Sequence, residues 1–153
     1  MTSGRIDHAA LAIAAPPDTL YAAFADPAQL VQWLPPGSMT GRVLVYDFRV
    51  GGRYRIELAY AVDNAAGKTT QHSDISAGTF LALEPGRRIV QSVEFESTDA
   101  AFAGEMRMTW TLAPTATGTL VTVIAESPPP GIRQADHETG LRESLANLAR
   151  FVQ

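Results

Sequence analysis

Between residues 42 and 126, apolar and polar side chains alternate repeatedly, and this period-two pattern constrains the fold more than any other feature of the chain. The clearest run has one apolar face that consists of Tyr54, Ile56, Leu58 and Tyr60. Because successive side chains of a strand point to opposite faces of a sheet, such runs predict β-strands with one buried face. Turn signals separate six predicted strands: 42–50, 53–61, 73–83, 88–96, 104–113 and 119–126.

Two of the connections between these strands carry specific predictions. Gly51-Gly52 lies where a tight hairpin needs residues with positive φ, and no phosphate-binding glycine motif surrounds it. The polar stretch from Asp63 to Gln71 is predicted to be a long hairpin loop. Short connections favour antiparallel pairing of consecutive strands.

The residues on either side of this region complete the predicted fold. A weak alternation over 9–15 indicates a first strand, and Pro17 and Asp26-Pro27 then begin two short helices. After the proline-rich segment 127–131 the period becomes 3.6, with an apolar stripe of Leu141, Leu145, Leu148, Ala149 and Val152. The order predicts one α+β domain over 1–153, in which a strongly curved seven-stranded antiparallel sheet wraps around a long C-terminal helix.

Composition excludes several classes of function. The 153 residues include no cysteine, which rules out disulfides, thiol nucleophiles and cysteine-ligated metals. The net charge is −4, and eleven arginines and one lysine are scattered among the acids, so nucleic acid is not an expected partner. No apolar run approaches the ~20 residues of a membrane span, and the first residues lack the plan of a signal peptide. A cytoplasmic protein with no membrane partner is therefore expected.

An ordered set of short motifs resembles a known superfamily. Its opening, Ala-Pro-Pro-Asp-Thr-Leu-Tyr at 15–21 with Ala-Asp-Pro at 25–27 and Trp33, resembles the START-like or SRPBCC helix-grip superfamily. Within it, the bacterial relatives of the C-terminal domain of the heat-shock chaperone ATPase activator (AHSA-type proteins) are similar at 47–54, 78–80, 85–90 and 108–110.

This resemblance implies a helix-grip fold with a cavity between sheet and helix. It does not imply one activity, because members of the superfamily include lipid and hormone binders, polyketide cyclases and co-chaperone domains. The eukaryotic activator is similar to this chain only in its C-terminal half, and its chaperone-binding half has no counterpart here, which disfavours co-chaperone work.

The sequence contains no strong catalytic or metal-binding motif. His137-Glu138 begins like a zinc-protease motif, but Leu141 occupies the position of the second histidine. The histidines His8, His72 and His137 lie in separate elements, so no metal and no cofactor are expected. No Gly-x-Ser-x-Gly nucleophile motif is present, and no residue is assigned as catalytic.

The predicted cavity wall comes from residues on the inward faces of several elements. The face of Met106, Met108, Trp110 and Leu112 is either plain core or a cavity wall, and the flexible thioethers suit irregular apolar ligands. If Phe80 faces inward, then Ser76, Asp74 and His72 share its face, unless the polar residues lie beyond the rim in solvent. The candidate ligand-binding residues are Trp33, Met39, Tyr54, Phe80, Met108, Trp110 and His137.

His137 is the candidate polar group of this cavity. It lies one helical turn before Leu141 on the apolar stripe, so it either points toward the sheet or remains a partly exposed residue of the first turn. Asp136 and Asp74 are the carboxylates expected near it.

Three functions remain open. The favoured one is binding of a small, mainly apolar molecule, lipid-like or polyketide-like, which can carry one acidic or polar group. The second is an enzyme of the cyclase or hydrolase type, with His137, Asp74 or His72 as acid or base. The third is a module that contacts a chaperone ATPase. Either a monomer or a homodimer is compatible with the sequence.

Overall fold

The computed structural model describes residues 4–59 and 73–153. Strand β1 (Ile6–Ile13) precedes two short helices, α1 (Pro17–Ala25) and α2 (Pro27–Trp33). The remaining elements are β2 (Thr40–Tyr46), β3 (Arg53–Ala59), β4 (Ser73–Glu84), β5 (Arg88–Phe95), a 3₁₀ turn (Ala100–Phe102), β6 (Met106–Thr115), β7 (Gly118–Glu126) and α3 (Gln134–Val152).

The seven strands form one open antiparallel sheet in the order β1-β7-β6-β5-β4-β3-β2. Strand β1 pairs with β7 in register from Ile6 opposite Glu126 to Ile13 opposite Thr119. All other pairs join strands that follow each other in the sequence. The predicted α+β helix-grip fold, with two short helices after the first strand, is confirmed.

The predicted boundaries differ from the structure by up to a few residues, and two of the differences affect the site or a connection. Strand β1 begins at Ile6 instead of residue 9, so it includes Asp7 and His8. The connection after β2 spans residues 47–52 and is longer than the predicted two-residue turn. Gly51 has a positive φ of 84°, as predicted, but Gly52 does not. Gly52 is required for another reason, because a Cβ there would lie 2.0 Å from the Asp47 carbonyl oxygen. The predicted loop at 63–71 lies outside the described residues.

The two short helices begin as their sequences indicate. Pro17 occupies the first turn of α1, where its missing N–H group costs no hydrogen bond. The Asp26 carboxylate caps α2 by accepting a 2.9 Å hydrogen bond from the Ala28 backbone N–H. Within the described residues, no helix is long and apolar enough to cross a membrane.

An aromatic cluster joins these helices to the sheet. The rings of Phe24, Trp33 and Trp110 meet edge to face, with centroids 4.8–5.8 Å apart. Trp33 is fully buried, and its indole Nε1 donates a 3.1 Å hydrogen bond to the Ala23 carbonyl. The cluster therefore fills one part of the space that the curved sheet encloses.

Polar side chains hold the middle of α3 against the end of α2. Ser144 Oγ donates to the Leu34 carbonyl at 2.6 Å, and the Asn147 amide donates to the carbonyls of Trp33 and Pro35 at 3.2 and 3.0 Å. These bonds satisfy carbonyls at and just beyond a helix end, which otherwise lack intrahelical partners. They set the position of α3 over the sheet.

A glycine permits a close approach between strands in the sheet. The Tyr54 hydroxyl of β3 donates a 2.5 Å hydrogen bond to the Ser92 carbonyl of β5, two strands away. A Cβ on the intervening Gly78 would lie 1.8 Å from that carbonyl oxygen and 2.9 Å from the Tyr54 hydroxyl. Gly78 is therefore needed where the sheet bends, next to a bulge between Phe80 and Ala82.

The apolar stripe of α3 predicts a large stability effect at its centre. Leu145 is fully buried, so Leu145→Ala should lower the free energy of unfolding by about 2–5 kcal/mol in urea denaturation. Glu143→Ala, at an exposed position of the same helix, should change it by about 0.5 kcal/mol or less. Equal effects of the two substitutions would contradict the packing described here.

Candidate functional site

A cavity of about 300 Å³ lies between the concave face of the sheet and α3, and it is partly open to solvent. Strands β3 to β6, the segment after α2 and the first half of α3 line it. The apolar lining residues are Leu34, Pro36, Met39, Ile56, Leu58, Val93, Phe95, Met106, Met108, Trp110, Gly140 and Leu141. The polar ones are Tyr54, Asp74, Ser76, Gln91, Asp136, His137 and Ser144.

The seven sequence-predicted residues divide into two groups. Five line this cavity: Met39, Tyr54, Met108, Trp110 and His137. Trp33 and Phe80 do not, because both are buried in the core next to a separate space of about 30 Å³. That volume is about the share of one water molecule in the liquid, so Trp33 and Phe80 serve packing here.

Tyr54 and Gln91 use their polar atoms within the protein. The Tyr54 hydroxyl bonds to the Ser92 carbonyl, and Gln91 Oε1 accepts a 3.0 Å hydrogen bond from the Trp110 indole. Burial raises the pKa of Tyr54 well above its usual range, although a hydrogen bond from Gln91 acts in the opposite direction. Tyr54 is therefore a neutral phenol, and this part of the wall carries no charge.

Titratable side chains gather at the end of the cavity where α3 begins. Asp136 and His137 belong to the first turn of α3. Asp74, at the start of β4, also lines a neighbouring depression with Ile132, two residues before α3. Asp74 and Asp136 are both exposed, so they form a rim and not a floor. Ligands would meet these carboxylates where the cavity opens to solvent.

The His137 ring lies against the protein, as its place on the stripe predicts. Its side chain is only 14% exposed, and Nδ1 lies 2.7 Å from Oδ2 of Asp7. The carboxylate that binds this ring is thus Asp7 of β1, and neither Asp136 nor Asp74 as the sequence suggested.

The carboxylate of Asp7 is fully buried and has two side-chain partners, the guanidinium of Arg5 and the ring of His137. Arg5 Nε and Nη2 donate to its two oxygens at 3.0 and 2.8 Å, and Nη2 also donates to the Ile132 carbonyl at 2.6 Å. Burial raises the pKa of the Asp7 carboxyl, but the hydrogen bonds from Arg5 and His137, together with the positive charge of Arg5, outweigh burial and hold that pKa below its usual range. Asp7 is therefore ionised at neutral pH.

Sequence reasoning missed both Arg5 and Asp7, although a signal existed. Asp7 is in phase with Ala9, Leu11 and Ile13, and the buried residues of β1 follow that alternation. Extending the strand by three residues would have placed a carboxylate on the inward face. Its pairing with His137, 130 positions away, has no local signature.

The histidines do not assemble into a metal site in the part of the chain described. Within residues 4–59 and 73–153, no three side chains of the metal-ligating types come together. His8 is exposed on β1, where its backbone N–H donates to Glu138. His72 lies outside the described residues.

The sequence matches the family described as "Activator of Hsp90 ATPase homolog 1-like protein" over residues 14–153. The chain belongs to this family. A crystal structure of a protein from Chromobacterium violaceum is similar at 35% identity, with a TM-score of 0.84 and 96% of each chain covered.

Two further solved structures share the fold at lower identity. One is from Rhodobacter sphaeroides, at 21% identity and a TM-score of 0.79, with 99% of this chain and 93% of that chain covered. Another is from Mesorhizobium loti, at 23% identity and a TM-score of 0.72, with 97% of this chain and 96% of that chain covered. A search of the curated proteins finds no significant match. Membership thus defines a fold, and the activity must be argued from the cavity.

The ionised Asp7 predicts a specific dependence of stability on pH. A carboxyl whose pKa is lower in the folded chain than in the unfolded one stabilises the fold fully only above its unfolded value, about 3.9. That contribution disappears as the pH falls through the lower folded value.

Asp7→Asn should therefore lower the free energy of unfolding at pH 7 by about 1.5–3 kcal/mol, since it weakens hydrogen bonds to a charged group. The difference from the natural chain should shrink below pH 4, as measured by urea denaturation at several pH values. Asp136→Asn, at the exposed neighbouring carboxylate, is the control and should give a small change in the free energy of unfolding. A constant difference for Asp7→Asn down to pH 2.5 would contradict the assignment.

Proposed function

We propose that this protein binds a small, mainly apolar organic molecule in the cavity between the sheet and α3. The observation that carries the proposal is a preformed, partly open cavity of about 300 Å³ with a mostly apolar wall. Ligand sites of proteins have this character: an apolar lining with a few polar groups that fix the orientation of the ligand.

The volume limits the size of the ligand. A cavity of about 150 Å³ holds one benzene molecule, so about 300 Å³ suits one or two rings or a medium-length chain. Larger lipids or polyketides with four rings would extend through the opening into solvent. The proposal is therefore narrower than the general lipid or polyketide class that the family resemblance suggested.

The lining is adaptable as well as apolar. Met39 reaches the cavity from the segment after α2, and Met106 and Met108 reach it from β6. Trp110 adds an aromatic face between core and cavity. Unbranched thioethers change rotamer at low cost and make favourable contacts with aromatic rings. This wall suits flat aromatic ligands of differing outline.

An acid–base enzyme is the second candidate, and the Asp7–His137 pair favours it. A buried carboxylate that orients an imidazole beside a cavity is a recurring arrangement in proton transfer. Under this alternative, substrate turnover should be lost in His137→Ala while ligand binding persists. The third function, a module that contacts a chaperone ATPase, stays a prediction, and binding of a heat-shock ATPase would support it. The cytoplasmic location and the oligomeric state also stay predictions.

Ligand binding should raise the melting temperature, because a molecule that binds only the folded state stabilises it. We expect thermal shifts from one- and two-ring aromatic compounds and from decanol, and smaller shifts from palmitate or four-ring polyketides. Quenching of tryptophan fluorescence should accompany binding, because Trp110 lines the cavity. The absence of a shift across all these compounds would contradict the proposal.

Gly140 offers a matched test of where the ligand lies. It faces the cavity within α3, and a Cβ added there would meet only Pro36, at 3.9 and 4.0 Å. Gly140→Ala should therefore raise the free energy of unfolding by about 0.5–1 kcal/mol, through helix propensity.

Gly140→Leu should fill the cavity and weaken binding at least tenfold in a fluorescence titration. Thr139→Leu adds the same side chain at an exposed position of α3 and should leave the affinity unchanged. Equal effects of the two leucines would place the ligand elsewhere.

A further inference from the structure

If the cavity binds a ligand as proposed, the ring of His137 determines which polar group that ligand can carry. His137 has two ring nitrogens, and the protein engages one of them. Nδ1 bonds to Asp7, whereas Nε2 makes no hydrogen bond to any described residue. No buried side-chain nitrogen or oxygen among those residues lacks a partner, so Nε2 is reachable from solvent-filled space. Since His137 lines the cavity and is only 14% exposed, the cavity is the space that Nε2 faces.

The state of Asp7 decides what Nε2 can do. Asp7 is ionised and therefore only accepts hydrogen bonds, which requires the proton of a neutral imidazole to reside on Nδ1. Arg5 reinforces this state, because its Nε and Nη2 groups donate to the same carboxylate. A neutral imidazole protonated at Nδ1 has a bare lone pair at Nε2. The neutral ring of His137 therefore presents to the cavity a hydrogen-bond acceptor that no described residue uses.

The surrounding charges restrict which ligands can use this acceptor. Asp7 binds Nδ1 of the ring, and two further carboxylates lie at the rim of the cavity. They are Asp136, in the same helix turn as His137, and Asp74 of β4. Arg5 donates to Asp7 and to the Ile132 carbonyl, and it does not line the cavity. A ligand carboxylate would meet like charges and could not donate to Nε2, whereas a neutral hydroxyl could.

We infer that the ligand is an apolar molecule with a hydroxyl group, of the phenol or alcohol class, whose O–H donates to Nε2 of His137. The sequence alone allowed an acidic or a polar group on the ligand, and the surroundings of His137 favour a neutral hydrogen-bond donor. Arg5 and Asp7 are positioning residues, because they set the orientation and the tautomer of the His137 ring and do not line the cavity themselves.

Matched two-ring probes test this inference in titrations at pH 7.5: 2-naphthol, 2-methoxynaphthalene and 2-naphthoate. The first donates a hydrogen bond, the second only accepts, and the third is an anion. We expect 2-naphthol to bind roughly three- to tenfold tighter than 2-methoxynaphthalene, the size of one net hydrogen bond, and 2-naphthoate to bind weakest.

Substitution of the ring isolates the contribution of Nε2. His137→Phe should reduce the preference for 2-naphthol over 2-methoxynaphthalene to about one while 2-methoxynaphthalene still binds. Glu143→Gln, at an exposed position of α3 outside the cavity lining, should keep the preference for 2-naphthol. A preference that persists in His137→Phe would overturn the inference.

The tautomer can be measured in the unsubstituted protein, which does not depend on the folding of any variant. Nitrogen-15 NMR of the imidazole rings should show a protonated Nδ1 and a bare Nε2 for His137, identified by the signals that vanish in His137→Phe. A proton on Nε2 would overturn the inference, as would equal binding of all three probes to the natural chain, and both results leave the proposed cavity binding intact. If no probe binds, the proposed function fails and the inference falls with it.

Discussion

One helix has to cover the concave face of a seven-stranded sheet, and the rest of the structure follows from that mismatch. Seven strands at ~4.8 Å spacing span about 29 Å, whereas an α-helix with its side chains is about 10 Å wide. Curvature, permitted where Gly78 lets the strands approach, narrows the gap but does not close it. Phe24 and Trp33 fill one part with aromatic packing, and the part left over is the cavity.

The element order could be predicted because each segment carries a local signal. Alternation over β3 and β6, the proline and aspartate at the helix starts, and the stripe from Leu141 to Leu148 all report local geometry. The connection at 47–52 could not be predicted in detail, because it depends on tertiary contacts. Gly51 and Gly52 bond to the backbone of Phe80 on β4, and no local pattern announces that partner.

The sequence could predict which residues of the candidate site face the concave side of the sheet, but not which of them line the cavity. Period-two patterning says that Tyr54, Phe80 and Trp110 point inward, yet whether an inward residue meets core or cavity depends on where α3 lies. That position is set by the hydrogen bonds of Ser144 and Asn147, which join parts of the chain more than a hundred residues apart. The same reasoning explains why Asp7 escaped notice, since its meaning comes from its distant partner.

The pairing of β1 with β7 also orders the events of folding. Among themselves, strands β2 to β7 pair only with sequence neighbours, at small cost in chain entropy. Strand β1, by contrast, must find a strand whose paired residues begin beyond position 118. The Asp7–His137 contact lies across that same long closure and forms only after it. During refolding, amide protection in β5 to β7 should therefore precede protection in β1 and in the first turn of α3. The corner of the molecule that presents His137 to the cavity is the last to be completed.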